Sequence, residues 1–146
     1  MRGMARLVCS ISLLIPALLL AQDSGKGVEL QRMETVRLTK AVMARSVDQR
    51  EPSGEATAFP RDVGQVVCFT QVDAPADSVV YHVWRHGTTL HAKVQLSVQQ
   101  GSWRTWSRKR IHPSWTGDWT VDIEDDSGKV LKTLGFTIGG TEGSQN

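Results

Sequence analysis

The chain has 146 residues and a mass of 16.1 kDa, enough for one domain and too little for two ordinary ones. Hydrophobic residues at 40% and charged residues at 22% exclude wholesale disorder. The formal charge of +2 falls to zero once Arg2 and Arg6 are set aside with the leader, because fifteen basic residues then meet fifteen acidic ones. A neutral domain lacks the excess of Lys and Arg that neutralises phosphates, so no nucleic-acid partner is expected.

Residues 1–21 read as a secretory signal peptide. Arg2 and Arg6 form a basic start, Leu7 to Leu20 an uncharged apolar run interrupted by Pro16, and Ala21 a small residue before the polar Gln22-Asp23-Ser24-Gly25. The run of about 14 residues is short for a membrane span, which needs roughly 20. An uncleaved amino-terminal anchor is the alternative, and no later segment resembles a transmembrane helix. The expected location is periplasmic or extracellular. Removing the leader removes Cys9 and leaves Cys68 with no internal disulfide partner. Cys68 lies in the apolar run VVCFT, which predicts a buried, inert thiol.

Residues 22–34 are polar and read as a flexible segment. From Val36 the parity of Val36, Leu38, Val42 and Ala44 predicts a strand, broken by Lys40 and contested by Ala41 and Met43. A helix over 33–44 stays open. Residues 50–64 hold two prolines and two glycines and are expected to be a loop. Strands follow at Gln65–Val72, Val79–His86, Leu90–Val98 and Asp118–Glu124. The turn Asp126-Ser127-Gly128 joins the last of these to a strand over Lys129–Ile138, where Val130, Leu134, Phe136 and Ile138 share a face. Residues 139–146 are a Gly-rich, polar tail, expected to be disordered.

Six to seven short strands with frequent turns and no convincing long helix predict an all-β domain over residues 35–138. The expected architecture is a single antiparallel β-sandwich, immunoglobulin-like, with a small barrel as runner-up. One hairpin can be registered. Gly87-Thr88 fits a type II′ loop, which pairs His86 with Thr89, Trp84 with His91 and Tyr81 with Val94. This register sends Val79, Tyr81, Val83, Ala92, Val94 and Leu96 inward. It leaves His82, Trp84, His86, His91, Lys93 and Gln95 on an outer face.

The stretch from Arg50 to Phe136 resembles an uncharacterised bacterial family, domain of unknown function family 2914. The matching pieces are REP at 50–52, VVCFTQV at 66–72, YHVWRHG at 81–87, VQLSV at 94–98, WRTWSRKRI at 103–111, GDWTVDIEDDSGKVL at 117–131 and Phe136. The most specific is WRTWSRK followed by GDWTV. Ser107-Arg108-Lys109 stands where the family pattern has Ser-Ser-Lys. The resemblance implies an exported or envelope-associated β domain and transfers no catalytic residue.

Four histidines raise the question of a metal. His82 and His86 would stand about 13 Å apart on a strand, too far to share a tetrahedral ion unaided, so no metal site is expected. Trp119 keeps phase with Val121 and Ile123 and is expected in the core. Trp84, Trp106 and Trp115 are candidates for an exposed platform that stacks on sugar rings or anchors a protein. Arg104, Arg108, Lys109 and Arg110 interleave basic charge with Trp103 and Trp106. No nucleophile elbow, phosphate loop, zinc motif or dinucleotide fingerprint occurs. Asp118 and Asp122 stand about 13 Å apart, beyond a glycosidase carboxylate pair. The expectation is a non-catalytic binding or accessory domain of the cell envelope, without a cofactor. Its ligand-binding residues would be His82, Trp84, His91, Lys93, Arg104, Trp106, Arg108 and Trp115. An envelope polysaccharide is one expected partner class, bound by a glycan module, and an envelope protein held by an adaptor is the other.

Overall fold

The computed structural model describes residues 35–139. The expected signal peptide, the flexible segment and all but the first residue of the tail lie outside the described residues. What is described is all-β, with 69% of residues in strands and no helix. The helix considered over 33–44 does not form where it is described; β1 (Arg37–Ala44) stands there instead. The remaining strands are β2 (Ser46–Asp48), β3 (Glu51–Ser53), β4 (Ala58–Phe59), β5 (Gln65–Ala74), β6 (Ser78–His86), β7 (Thr89–Val98), β8 (Gly101–Arg110), β9 (Gly117–Glu124) and β10 (Val130–Ile138).

The strands form a three-stranded sheet ordered β1-β5-β8, a five-stranded sheet ordered β4-β10-β9-β6-β7, and the small β2–β3 hairpin. All pairings are antiparallel except β4 with β10. Met43, Val66 and Cys68 from the first sheet share a core with Trp84, Trp119, Val121, Ile123, Phe136 and Ile138 from the second. Val36, Val72, Ala74, Val80 and Val98 form a second cluster. Trp119 lies in the core, as its phase predicts. Cys68 is fully buried, and burial pushes its thiol pKa up, which leaves it unreactive.

Three β-bulges reset which side chains face this core. At Thr39, β1 carries one residue more than β5 opposite it. Leu38 before the bulge and Ala41 and Met43 after it therefore all pack inward, which explains the broken parity of this strand in the sequence. At His91, β7 carries an extra residue against β6. At Leu131, β10 carries one against β9. Val130 is thereby turned outward and left exposed, and Leu131 packs inward in its place. The expected shared face of β10 is corrected at that one residue.

The Gly87-Thr88 turn forms as expected. Gly87 has a φ of 56°, which the first position of a type II′ turn requires, and His86 pairs with Thr89. Beyond Leu90 the bulge shifts the register by one. Trp84 then pairs with Ala92 instead of His91, and His82 with Val94. The inward assignment of Ala92, Val94 and Leu96 holds, whereas on β6 Val80 and Trp84 join the core clusters and Val79 and Tyr81 do not; Val83 is buried, outside both clusters.

The segment 50–64 is more than a loop. Its first residues form β3, and β4 adds to the edge of β10, placing Phe59 in the core with its ring edge-on to Phe136 at 6.0 Å. Burying such a ring contributes about 1.5–3 kcal/mol, which anchors a proline-rich stretch that has few other apolar residues.

Candidate ligand-binding groove at the β8 edge

The structure divides the expected site residues among the core, the turn end of the molecule, and the outer faces of the two sheets. His82 and Trp84 are both fully buried, so the outer face expected to carry them is corrected. The extra residue at His91 is the physical reason, because a one-residue slip exchanges the two faces of a strand.

Their burial is satisfied by a closed polar chain across the two sheets. The Thr70 hydroxyl donates to the Thr105 carbonyl at 3.1 Å, so its oxygen accepts from His82 Nε2–H at 3.4 Å. His82 Nδ1 is then an acceptor, and the Ser107 hydroxyl donates to it at 2.8 Å. Ser107 Oγ in turn accepts from Trp84 Nε1–H at 3.0 Å. Donor counting thus assigns His82 as the neutral Nε2–H tautomer. Burial lowers its pKa to about 4, in agreement. The Ser107–His82 pair has the spacing of a nucleophile and base, but both residues are buried, which closes them to a substrate.

His91 and Trp115 meet at the turn end. The His91 ring lies 4.9 Å from Trp115 and 4.8 Å from Trp119. His86 stacks on Trp119 at 4.6 Å and donates from Nε2 to the Thr116 carbonyl at 2.7 Å. Trp119 Nε1–H donates to the Trp115 carbonyl at 3.1 Å. Lys109 Nζ stands 5.9 Å from the Trp115 ring centre. Loss of hydration, then the nearby charges of Lys109 and His86, lower the pKa of His91. Among the described residues, no three His, Cys, Asp or Glu side chains converge as a metal set would.

Lys93 stands on the outer face of the five-stranded sheet, paired with Glu124 at 2.7 Å and 4.7 Å from the Tyr81 ring centre. Arg104, Trp106 and Arg108 alternate along β8, opposite Gln71, Phe69 and Val67 of β5. Alternation sends them to the outer face of the three-stranded sheet. There Phe69 is fully buried beneath Trp106, whose ring stacks on it at 6.2 Å and 12°.

At the edge of β8 these features open into a groove of about 320 Å³, lined by Arg50, Ser97, Trp103, Arg104, Thr105 and Trp106. β7 and β8 are the edge strands of their sheets, so the groove runs where the two edges face one another. Trp103 packs toward the second core cluster and Trp106 toward the outer face. An edge strand lets residues of both parities border the same depression. The turn of the β2–β3 hairpin reaches the groove. Arg50 places its guanidinium 5.4 Å from the Trp103 ring centre, and Glu51 pairs with Arg104 at 2.6 Å. Sequence reasoning placed Arg104 and Trp106 in the site but missed Arg50, Ser97, Trp103 and Thr105. The interleaved basic and aromatic residues of β8 were the available signal for Trp103. Arg50 carried none, since its approach depends on the hairpin.

Residues 77–138 match the model of a protein family of unknown function, DUF2914. This is the family that the sequence resembles. The match spans β6 to β10 and includes every groove residue except Arg50. The resembling pieces at 50–52 and 66–72 lie outside it. No curated protein matches the chain. A crystal structure of a GH3 beta-glucosidase from Bifidobacterium adolescentis is similar at 10% identity and a TM-score of 0.42, over 72% of this chain and 17% of that one. This chain spans under a fifth of that protein, and a likeness of this level says nothing about activity.

Proposed function

We propose that this is an exported, non-catalytic binding domain of the cell envelope, an immunoglobulin-like β-sandwich that holds an envelope glycan in the β8 groove. One observation carries the reading: Trp103 and Trp106, both half-buried, border a single groove with two arginines and two hydroxyl side chains. Aromatic faces stack on the apolar faces of pyranose rings, and Arg, Ser and Thr satisfy the sugar's polar groups. The basic start, apolar run and Ala21 of residues 1–21 support export. The closed Ser107–His82 pair and the absence of catalytic sequence motifs support a binding role.

The test is a fluorescence titration of the purified protein against peptidoglycan fragments and envelope polysaccharides. A saturable change that Trp106→Ala abolishes, with the variant still folded, is the expected result. A flat response across the panel overturns the glycan reading.

A second reading is a protein adaptor. Among the described residues β7 is an unpaired edge, and Leu90 on it is 58% exposed, an arrangement that accepts an added strand from a partner. In that case Leu90→Lys abolishes capture of the partner, and Trp106→Ala does not.

A further inference from the structure

We infer that the sugar held in the β8 groove is acidic, bound through a carboxylate of the uronate type. This rests on the glycan reading above and adds the charge of the ligand. The first observation is backbone strain. Gln49 and Arg50 are the two central residues of the β2–β3 turn, with φ of 45° and 63°. A turn of this kind, with positive φ at both positions, is made without strain by Asn-Gly. A side chain with a Cβ costs roughly 1–2 kcal/mol at each such position. Among the described residues, Gln49 and Arg50 alone have positive φ without being glycine. Strain of this sort collects at ligand clamps, where a side chain is needed at a position that glycine would fill more stably.

The second observation is where the strained turn delivers its side chain. Arg50 lies over Trp103, and the next residue, Glu51, holds Arg104. Two guanidinium groups, one from the turn and one from β8, thus border the same groove. Phe69 fixes the Trp106 ring from beneath. A guanidinium is a planar fork that matches a carboxylate with two parallel hydrogen bonds. A pyranose carboxylate can meet that fork while its ring stacks on indole.

No acid is among the residues that line the groove, and Glu51, which pairs with Arg104 beside it, has a side chain 53% exposed. Two arginines against one glutamate leave the groove with net positive charge, which complements an anionic sugar. A bound carboxylate takes the place of Glu51 on Arg104, so Glu51 holds the arginine in position while the groove is empty.

The experiment measures the affinity of the purified protein for polygalacturonate and for neutral dextran at low and moderate salt. Polygalacturonate binds, dextran binds at least about tenfold more weakly, and added salt weakens the acidic complex. Arg50→Gly removes the guanidinium and the backbone strain together. Its affinity for polygalacturonate falls about tenfold or more, while its melting temperature stays level or rises. Glu51→Gln frees Arg104 and tightens binding. Lys132→Ala, an exposed cation on β10, leaves binding unchanged. Equal affinity for both polymers, dextran binding alone, an unaltered Arg50→Gly, or equal weakening by Lys132→Ala overturns the acidic assignment, and the first two leave the glycan reading standing. Binding of neither polymer overturns the acidic assignment here, and only a flat response to the wider panel overturns the glycan reading as well.

Discussion

The outer faces of the two sheets are built from similar residues and solve their charge in different ways. On the five-stranded sheet the charges close on one another. Arg85 pairs with Asp122, Thr133 donates to the same carboxylate at 2.6 Å, and Lys93 bridges Glu124 and the Tyr81 ring. On the three-stranded sheet, Arg37 pairs with Asp73, Lys40 with Glu55 and Arg104 with Glu51, but along β8, among the described residues, Arg108 and Arg110 have no ion-pair partner. This face also keeps a half-buried Trp106 over an already buried Phe69. The first face is internally satisfied and offers a ligand little. The second keeps cationic and aromatic groups available, at the edge where the groove opens. A tryptophan-rich sequence alone does not distinguish these cases; the bulges and the edge position do.

The largest effect is expected at the tryptophan buried beneath the first face. Trp84→Ala removes a fully buried ring and the donor to Ser107. A loss of about 3–5 kcal/mol is expected in chemical denaturation. A loss below about 1 kcal/mol would place Trp84 outside the core.

The buried network is tested next, by pH. The folded-state pKa of His82, about 4, lies below its ordinary value of 6.5. The unfolded chain therefore takes up a proton before the folded one does. The stability from neutral His82 is fully present above pH 6.5 and is lost as pH falls toward 4, by roughly 3 kcal/mol in all. Denaturation across this window should show that slope, and His82→Gln should flatten it. An equal slope in the variant assigns the effect to other groups.

Smaller effects sharpen the contrast. Trp106→Ala removes a half-buried ring, so its stability cost should be about 1–2 kcal/mol, well below that of Trp84→Ala. Equal melting temperatures for the two variants would count against the distinction. Lys93→Ala breaks an exposed pair and should cost under about 1 kcal/mol. A larger loss in thermal melts would show that the closed face is structurally essential.

How much of this was legible in the sequence differs strand by strand. β7 alternates cleanly from Leu90 to Val98, and its inward face was read correctly. β6 reads VVYHVWRH, apolar on both parities, so the pattern could not choose a face, and the reading leaned on the turn. The turn was right, but the extra residue at His91 leaves no mark in composition. A histidine that fits a strand equally well in or out of register carries no signal for a bulge. Thr39 is similar, although the conflict between Lys40 and Met43 recorded its effect. Phe59 was hidden by its proline-rich surroundings, because its burial depends on β4 pairing with a strand nearly eighty residues later. In the groove, Trp106 and Arg104 were legible because they are neighbours in sequence. Arg50 was not, because hairpin folding alone brings it to Trp103.

Ligand contacts should gather at β8 and spare β6. The most direct measurement is heteronuclear NMR of the five tryptophan indole N–H signals, assigned by single Trp→Phe variants, during titration with polygalacturonate. The signals of Trp103 and Trp106 should move together and saturate, while those of Trp84 and Trp119 stay in place. Movement centred on Trp115, or on Trp84, with Trp103 and Trp106 unmoved would contradict it.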